Sequence, residues 1–340
     1  MIFGTLPGGA PVELFELSSD KLTVRISNYG GRIISVVKDG MDMIVGPKHF
    51  EDMLKDTCYC GAICGRVANR IAKGRFSIDG DSRTVAVNNG PNHLHGGTKN
   101  FANRIWESRV ETNRVVMSLL SEDGDQNYPG ELNVEAVFDF DDENALEITY
   151  LARTDKTTVV NLTNHVYFNL AGEGSGSVLD HQLRLNSSQV LEMNDKQIPT
   201  GRLLDAAGTP QDFREFRPFR PGIDSEFNHI RDFKGYDHPF VIDGWQPNIL
   251  GEVGELREKS SGRCVKVLSS QPSVMIYTGN WLAGGCPETK SGGRYNDYDG
   301  VAIECQNYPD AVNHPEFPSP LLRPGETYCQ KIVFRFGTFA

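Results

Sequence analysis

The chain has 340 residues, 39% of them hydrophobic and 23% charged, a balance that excludes a mainly disordered polymer and can bury a large core. A formal net charge of -11 excludes the basic surface that phosphate-backbone binding requires. No stretch reaches membrane-spanning length without charge, so neither nucleic acid nor membrane is predicted as a partner.

The opening residues, Met1 to Leu22, carry neither the basic n-region nor the apolar h-region of a secretory signal, and a cytoplasmic protein is expected. Leu22, Val24 and Ile26 then alternate on one face, the chain turns at Asn28-Tyr29-Gly30-Gly31, and Ile33 to Val37 return: a hairpin. Cys58, Cys60 and Cys64 crowd together, but the other cysteines lie in distant segments and supply no second pair for zinc. Buried reduced thiols are expected there. Hairpin alternation recurs at Gly74 to Val87, with its turn at Asp79 to Ser82. Strands follow at Val115 to Leu120, Leu132 to Phe140 and Leu146 to Arg153. Helical periodicity is confined to a turn or two near Phe50 to Lys55 and Phe101 to Asn103. Glycine and proline punctuate the whole length, so no linker divides it. The prediction is all-β: one domain over residues 1–340, a large sandwich of twisted sheets with a concave face for a ligand.

Several stretches carry chemistry. GRVANRIAKGRF, from Gly65, holds Asn69 and Arg70, and NNGPNHLHGG, from Asn88, holds His93 and His95. In an extended segment the H-x-H spacing turns both rings to one side, the pattern of a metal site, yet no carboxylate or cysteine falls at a matching spacing and none is predicted. In NLTNHVYFNLAG, from Asn161, one strand face carries Leu162, Val166, Phe168 and Leu170, and the other carries Thr163, His165 and Tyr167. His165 is thus held mid-strand on a wettable face. GYDHPF places Asp237 and His238 in a loop entering a strand at Pro239. SSQPSVMIYTGNW contributes Gln271. In GVAIECQNYPDAVNHP, Val301, Ile303 and Cys305 face the core while Glu304 shares the opposite face with Gln306, and a carboxylate on a central strand is costly without partners.

Taken together with IPTG at Ile198 to Gly201, these motifs, in this order over nearly the whole chain, resemble the aldose 1-epimerases, or galactose mutarotases. The resemblance implies a β-sandwich of the galactose mutarotase type, no metal or cofactor, a small aldose as partner, and interconversion of its α and β anomers. It implies His165 as proton donor, Glu304 as acceptor and His95 near the ring oxygen. Asn69, Arg70, Tyr167, Asp237 and Gln271 are implied as sugar-binding residues. Trp281 departs from the phenylalanine more usual after YTGN, beside the cleft. With ordinary pKa values a glutamate is ionised at neutral pH and a histidine lies within reach of protonation, which suits those two roles. An epimerase of phosphorylated sugars would need several converging cations. A glycoside hydrolase would need two flanking carboxylates, and a non-catalytic sugar-binding module would lack the acid or the base.

Overall fold

Strand alternation becomes two broad antiparallel sheets in the computed structural model, which describes residues 1–340 apart from Asp142, Asn144, Pro287 and Ala340. In Leu132–Phe140, Leu132, Val134, Ala136 and Phe138 are buried while Asn133, Glu135 and Val137 are less so, the period-2 signature of a strand with one face on a core. This strand pairs on one side with Arg114–Ser121 and on the other with Leu146–Thr154. The sheet grows to nine strands by adding Glu107–Glu111 at one edge and, beyond Leu146–Thr154, the strands Tyr328–Thr338, Arg263–Ser269, Gly251–Glu258, Gln182–Leu185 and Arg217–Pro218. A seven-stranded sheet runs in the order Pro199–Asp205, Gln189–Met193, Asp237–Val241, Ser273–Tyr277, Val301–Gln306, Tyr167–Phe168 and Ile44–Val45.

The two sheets share one apolar core, where Phe168 of the smaller meets Phe334 of the larger with ring centroids 5.1 Å apart. Fully burying each such side chain stabilises the fold by about 1.5–3 kcal/mol. A five-stranded sheet begins at Ile2–Thr5 and includes the predicted first hairpin as Thr23–Ser27 and Arg32–Lys38. The core draws residues from Leu17 to Phe336.

Three local expectations change. The stretch from Asn161 is two short strands, Thr163–Asn164 and Tyr167–Phe168, paired to different neighbours, although its apolar set still enters the core. Asp237 and His238 lie inside the strand Asp237–Val241 rather than in a loop before it, paired with Tyr277 and Ile276. The proline in this strand does not break the sheet, because the ladder to Gln189–Met193 begins only at Phe240 and Pro239 is asked for no hydrogen bond on that side. The short helices Arg220–Ile223 and Asn228–Asp232 go beyond the prediction, being too brief for a 3.6-residue period to register. Among the described residues no helix is long and apolar enough to cross a membrane.

Candidate active site

Val301, Ile303 and Cys305 enter the core between the sheets, so strand pleating turns Ala302, Glu304 and Gln306 to the other face. The antiparallel register pairs Tyr167 with Ala302 and Phe168 with Val301. His165 lies just before this pairing, its backbone bonded to Gly61 and Ala62, and its Nε2 lies 3.5 Å from Glu304 Oε1. On the next strand Tyr277 pairs with Ala302 and, one further, Asp237 pairs with Tyr277. Asp237, Tyr277, Glu304 and Tyr167 thereby floor a cleft of about 290 Å³. A larger hollow of about 580 Å³ on the nine-stranded sheet, between Ser118, Asn133, Glu135 and Arg153, contains no histidine and no such facing pair.

Loops wall the cleft. Asn69 and His95 are tied reciprocally: the His95 amide donates to Asn69 O at 3.0 Å, and the Asn69 amide donates to His95 Nδ1 at 3.2 Å. With Nδ1 accepting, neutral His95 carries its proton on Nε2. His95 has φ +48, and the next residue, Gly96, has φ +86 with a Cβ position only 1.8 Å from Gly65 O, so only glycine permits this close approach. The left-handed residue at 95 also ends the two-residue strand His93–Leu94, and the two rings of H-x-H separate. His95 joins His165 and Glu304, whereas His93 is buried between Ala86 O and the Tyr128 hydroxyl, each 2.6 Å away. The expectation that both rings share a side is therefore corrected.

His165 is held by its backbone, donating to Ala62 O and accepting from the Gly61 amide, both at 2.9 Å. Tyr59 lies over both histidines, its ring centroid 4.8 Å from that of His95 and 6.1 Å from that of His165. Tyr167 lines the cleft with its ring while its hydroxyl donates to Cys58 O at 3.0 Å. Arg70 donates to Asn89 Oδ1 at 3.1 Å and to Gln197 Oε1 at 2.5 Å, and the Gln197 amide in turn donates to Asp237. Arg70 is the only Arg or Lys among the described residues lining the cleft.

Burial dominates the electrostatics. It pushes the Glu304 carboxyl well above the usual carboxylate range, helped by the Asp237 charge and opposed by Arg70. It pushes His165 down to about 4 and His95 well below its ordinary value, the latter aided by His165 and Arg70. Ordinary pKa values for the pair are thus corrected in opposite directions: burial favours a proton on Glu304 over one on His165, and two groups this close titrate as a coupled pair. Glu304 Oε2 and His165 Nδ1 are buried without a protein partner among the described residues.

Two groups bring three potential ligand atoms within 4.8 Å of one another: His95, His165 and Glu304, and Asp56, Cys60 and Cys286. In the second, Arg32 and two backbone amides already occupy both Asp56 oxygens. In the first, three N and O donors of a kind that binds divalent cations converge. Cys60 and Cys64 are buried and Cys58 half-buried. Burial raises the Cys58 and Cys64 thiols, and for Cys60 the Cys286 thiol beside it contributes most to the same upward shift.

Of the residues singled out in the sequence, Asn69, Arg70, His95, His165, Tyr167, Asp237 and Glu304 converge on the cleft. Gln271 does not. It lies in the turn before Ser273–Tyr277, buried with its amide donating to the Tyr328 hydroxyl at 3.1 Å, beside a separate hollow. Tyr59, Asn89, Gln197 and Tyr277 line the cleft without having been singled out. Asn89 lies within NNGPNHLHGG, Tyr277 opens the YTGNW motif and Gln197 directly precedes IPTG, so a place in or beside a motif was the available signal.

The aldose 1-epimerase family model matches residues 13–335. The galactose mutarotase of Bos taurus is 42% identical over 344 residues, covering 99% of this chain and 97% of its own, and the human galactose mutarotase is 41% identical with the same coverage. The aldose 1-epimerase of Escherichia coli is 35% identical, covering 97% and 96%. Among solved structures, an aldose epimerase homologue from C. elegans superposes with a TM-score of 0.88 at 28% identity, covering 97% of this chain and 100% of that one. Galactose 1-epimerase from Lactobacillus acidophilus gives 0.87 at 27%, covering 100% and 98%.

Proposed function

The chain belongs to the aldose 1-epimerase family, and from that premise we propose that it interconverts the α and β anomers of free hexoses such as galactose and glucose, with His165 as acid and Glu304 as base. The observation that carries these roles is the approach of His165 Nε2 to within 3.5 Å of Glu304 Oε1, with Glu304 Oε2 unpartnered among the described residues.

Ring opening needs one proton off the anomeric hydroxyl and one onto the ring oxygen. The pair's shared proton passes to His165 when the sugar is bound; His165 then protonates the ring oxygen while Glu304 takes the proton of O1. The C1–ring-oxygen bond breaks and the carbonyl forms. The open-chain complex leaves Glu304 protonated and His165 neutral, which is the distribution that burial favours. After roughly a half turn of the carbonyl about C1–C2, the hydroxyl returns its proton to His165, attacks the opposite face, and O1 regains a proton from Glu304. His95, with Nε2–H available, donates a hydrogen bond to the ring oxygen as the bond breaks. Protons balance around the cycle, so no metal or cofactor is required. Asn69, Arg70 and Asp237 hold hydroxyls, and the Tyr167 ring covers an apolar sugar face.

We read residues 1–340 as a single domain, supported by a core shared from Leu17 to Phe336, and the location as cytoplasmic, supported by seven free cysteines. The test is polarimetry of freshly dissolved α-D-galactose and α-D-glucose. Equilibration faster than in buffer is expected for both, and no acceleration of either would overturn the hexose assignment.

A further inference from the structure

Gln197 sits at the tip of the hairpin between Gln189–Met193 and Pro199–Asp205, with φ +57. A glutamine in left-handed backbone is uncommon, since Gly or Asn fits better. Here the turn is held by its neighbours: the Gln197 amide donates to Asn194 O at 2.9 Å, and Asn194 Oδ1 accepts from the amides of Lys196 and Ile198. That conformation delivers the side chain into the cleft.

Its carboxamide stands between a cation and an anion and is satisfied by both. Oε1 accepts from Arg70 and Nε2 donates to Asp237, which also settles which end of the amide is which. Facing a carboxylate, a guanidinium otherwise forms a bidentate ion pair that consumes the hydrogen-bonding capacity of both. With the neutral amide interposed, Arg70 Nη1 and Asp237 Oδ1 make no hydrogen bond among the described residues and stay available to a ligand. Gln197 also lines an adjoining groove of about 260 Å³, with Asn89 and Trp281, so it stands where the cleft and that groove meet.

We infer that Gln197 positions Arg70 and Asp237 for the sugar hydroxyls remote from C1, and thereby determines which hexose epimer the cleft prefers; this rests on the anomer-interconverting function proposed above. Arg70 Nη1 can only donate and ionised Asp237 Oδ1 can only accept. Moving either one alters the match to an axial hydroxyl differently from the match to an equatorial one. The chemistry at C1, carried by His165 and Glu304, is left in place.

The test uses Gln197→Asn and Gln197→Glu in the full chain, with galactose and glucose as the two probes. Asparagine suits the left-handed turn but is one methylene too short to reach both partners, so the fold is kept while the bridge is lost. Glutamate keeps the reach to Arg70 and replaces the donor to Asp237 with a repelling oxygen. For Gln197→Asn, KM is expected to rise about tenfold for the preferred hexose while kcat stays within about threefold, the pattern of lost binding common to ground and transition states. The ratio of kcat/KM between the two sugars should change by about fivefold or more. Gln197→Glu should raise KM at neutral pH and recover as the pH falls and the facing carboxyls take up a proton. Unchanged KM in both variants, a loss confined to kcat, or equal changes for both sugars would overturn the inference. Quenching of Trp281, 63% exposed on the cleft wall, gives sugar affinity without turnover. A wild type that neither binds nor interconverts the sugars sinks the functional reading, whereas variants that bind both hexoses as wild type does sink the role of Gln197 alone.

Discussion

Arg32 with Asp56, and Arg70 with the half-buried Asp237 and the buried Glu304, are two sets of opposite charges, and the protein finishes them differently. Arg32 Nη1 meets Asp56 Oδ2 at 2.5 Å with both side chains at 1% exposure or less. The same nitrogen reaches Cys60 O, and the amides of Cys58 and Cys60 donate to the two Asp56 oxygens at 2.8 and 2.9 Å. Both Asp56 oxygens are thereby occupied, with Arg32 Nε alone left unpartnered among the described residues, and the cluster fixes the loop carrying Tyr59 over the two histidines. In the other set an amide separates Arg70 from Asp237, and Glu304 Oε2 has no protein partner among the described residues. A buried carboxylate with both oxygens paired, as at Asp56, belongs to the scaffold; one kept short of partners, as at Glu304, is available to a ligand and holds a displaced pKa.

The sharpest break comes from the second set. Glu304→Gln and His165→Asn are each expected to lower kcat by about a hundred- to ten-thousand-fold, as loss of a general base or acid does. The double variant should lose little more, because the two share one proton and act as a unit. Polarimetry on both hexoses reads this, and fully multiplicative losses would separate the two roles.

Stability should move in opposite directions in the two sets. Arg32→Met strands Asp56 in the interior and is expected to cost about 3–5 kcal/mol in denaturant unfolding. Glu304→Gln is expected to raise Tm at neutral pH. Its raised pKa makes the native state hold a proton that the unfolded chain releases, so stability falls as pH rises from the ordinary carboxylate range through the Glu304 pKa. The glutamine variant escapes that loss, and its advantage should vanish at pH values below the carboxylate range. A destabilised Glu304→Gln at neutral pH would contradict the contrast.

The finest effect is on the pH profile. kcat/KM should fall on the acid side near pH 4, where His165 takes a second proton onto the pair, and on the basic side where the shared proton leaves. Asp237 raises the Glu304 pKa and Arg70 lowers it. Asp237→Asn should therefore move the basic limb to lower pH and Arg70→Gln to higher pH, each at reduced overall activity. Limbs that stay fixed, or move the other way, would mean that Glu304 does not set the basic limb.

Local pattern made much of this molecule legible. The alternation of Leu132 to Phe140 and Leu146 to Arg153 specified strands and their buried faces, because side chains on a strand repeat every second residue whatever the partner. The same rule put His165 and Glu304 on wettable faces, and the ordered motifs carried the family. What the sequence could not contain is which strands meet. The packing of the segment before Tyr167 against Val301–Gln306 made His165 and Glu304 a pair, and burial then moved both pKa values away from ordinary ones. A left-handed residue at His95 split the H-x-H rings, and the folding of distant hairpins brought Gln197 into the cleft while leaving Gln271 on Tyr328. These are outcomes of contacts between segments far apart in the chain, set by packing and desolvation rather than by any neighbour in sequence.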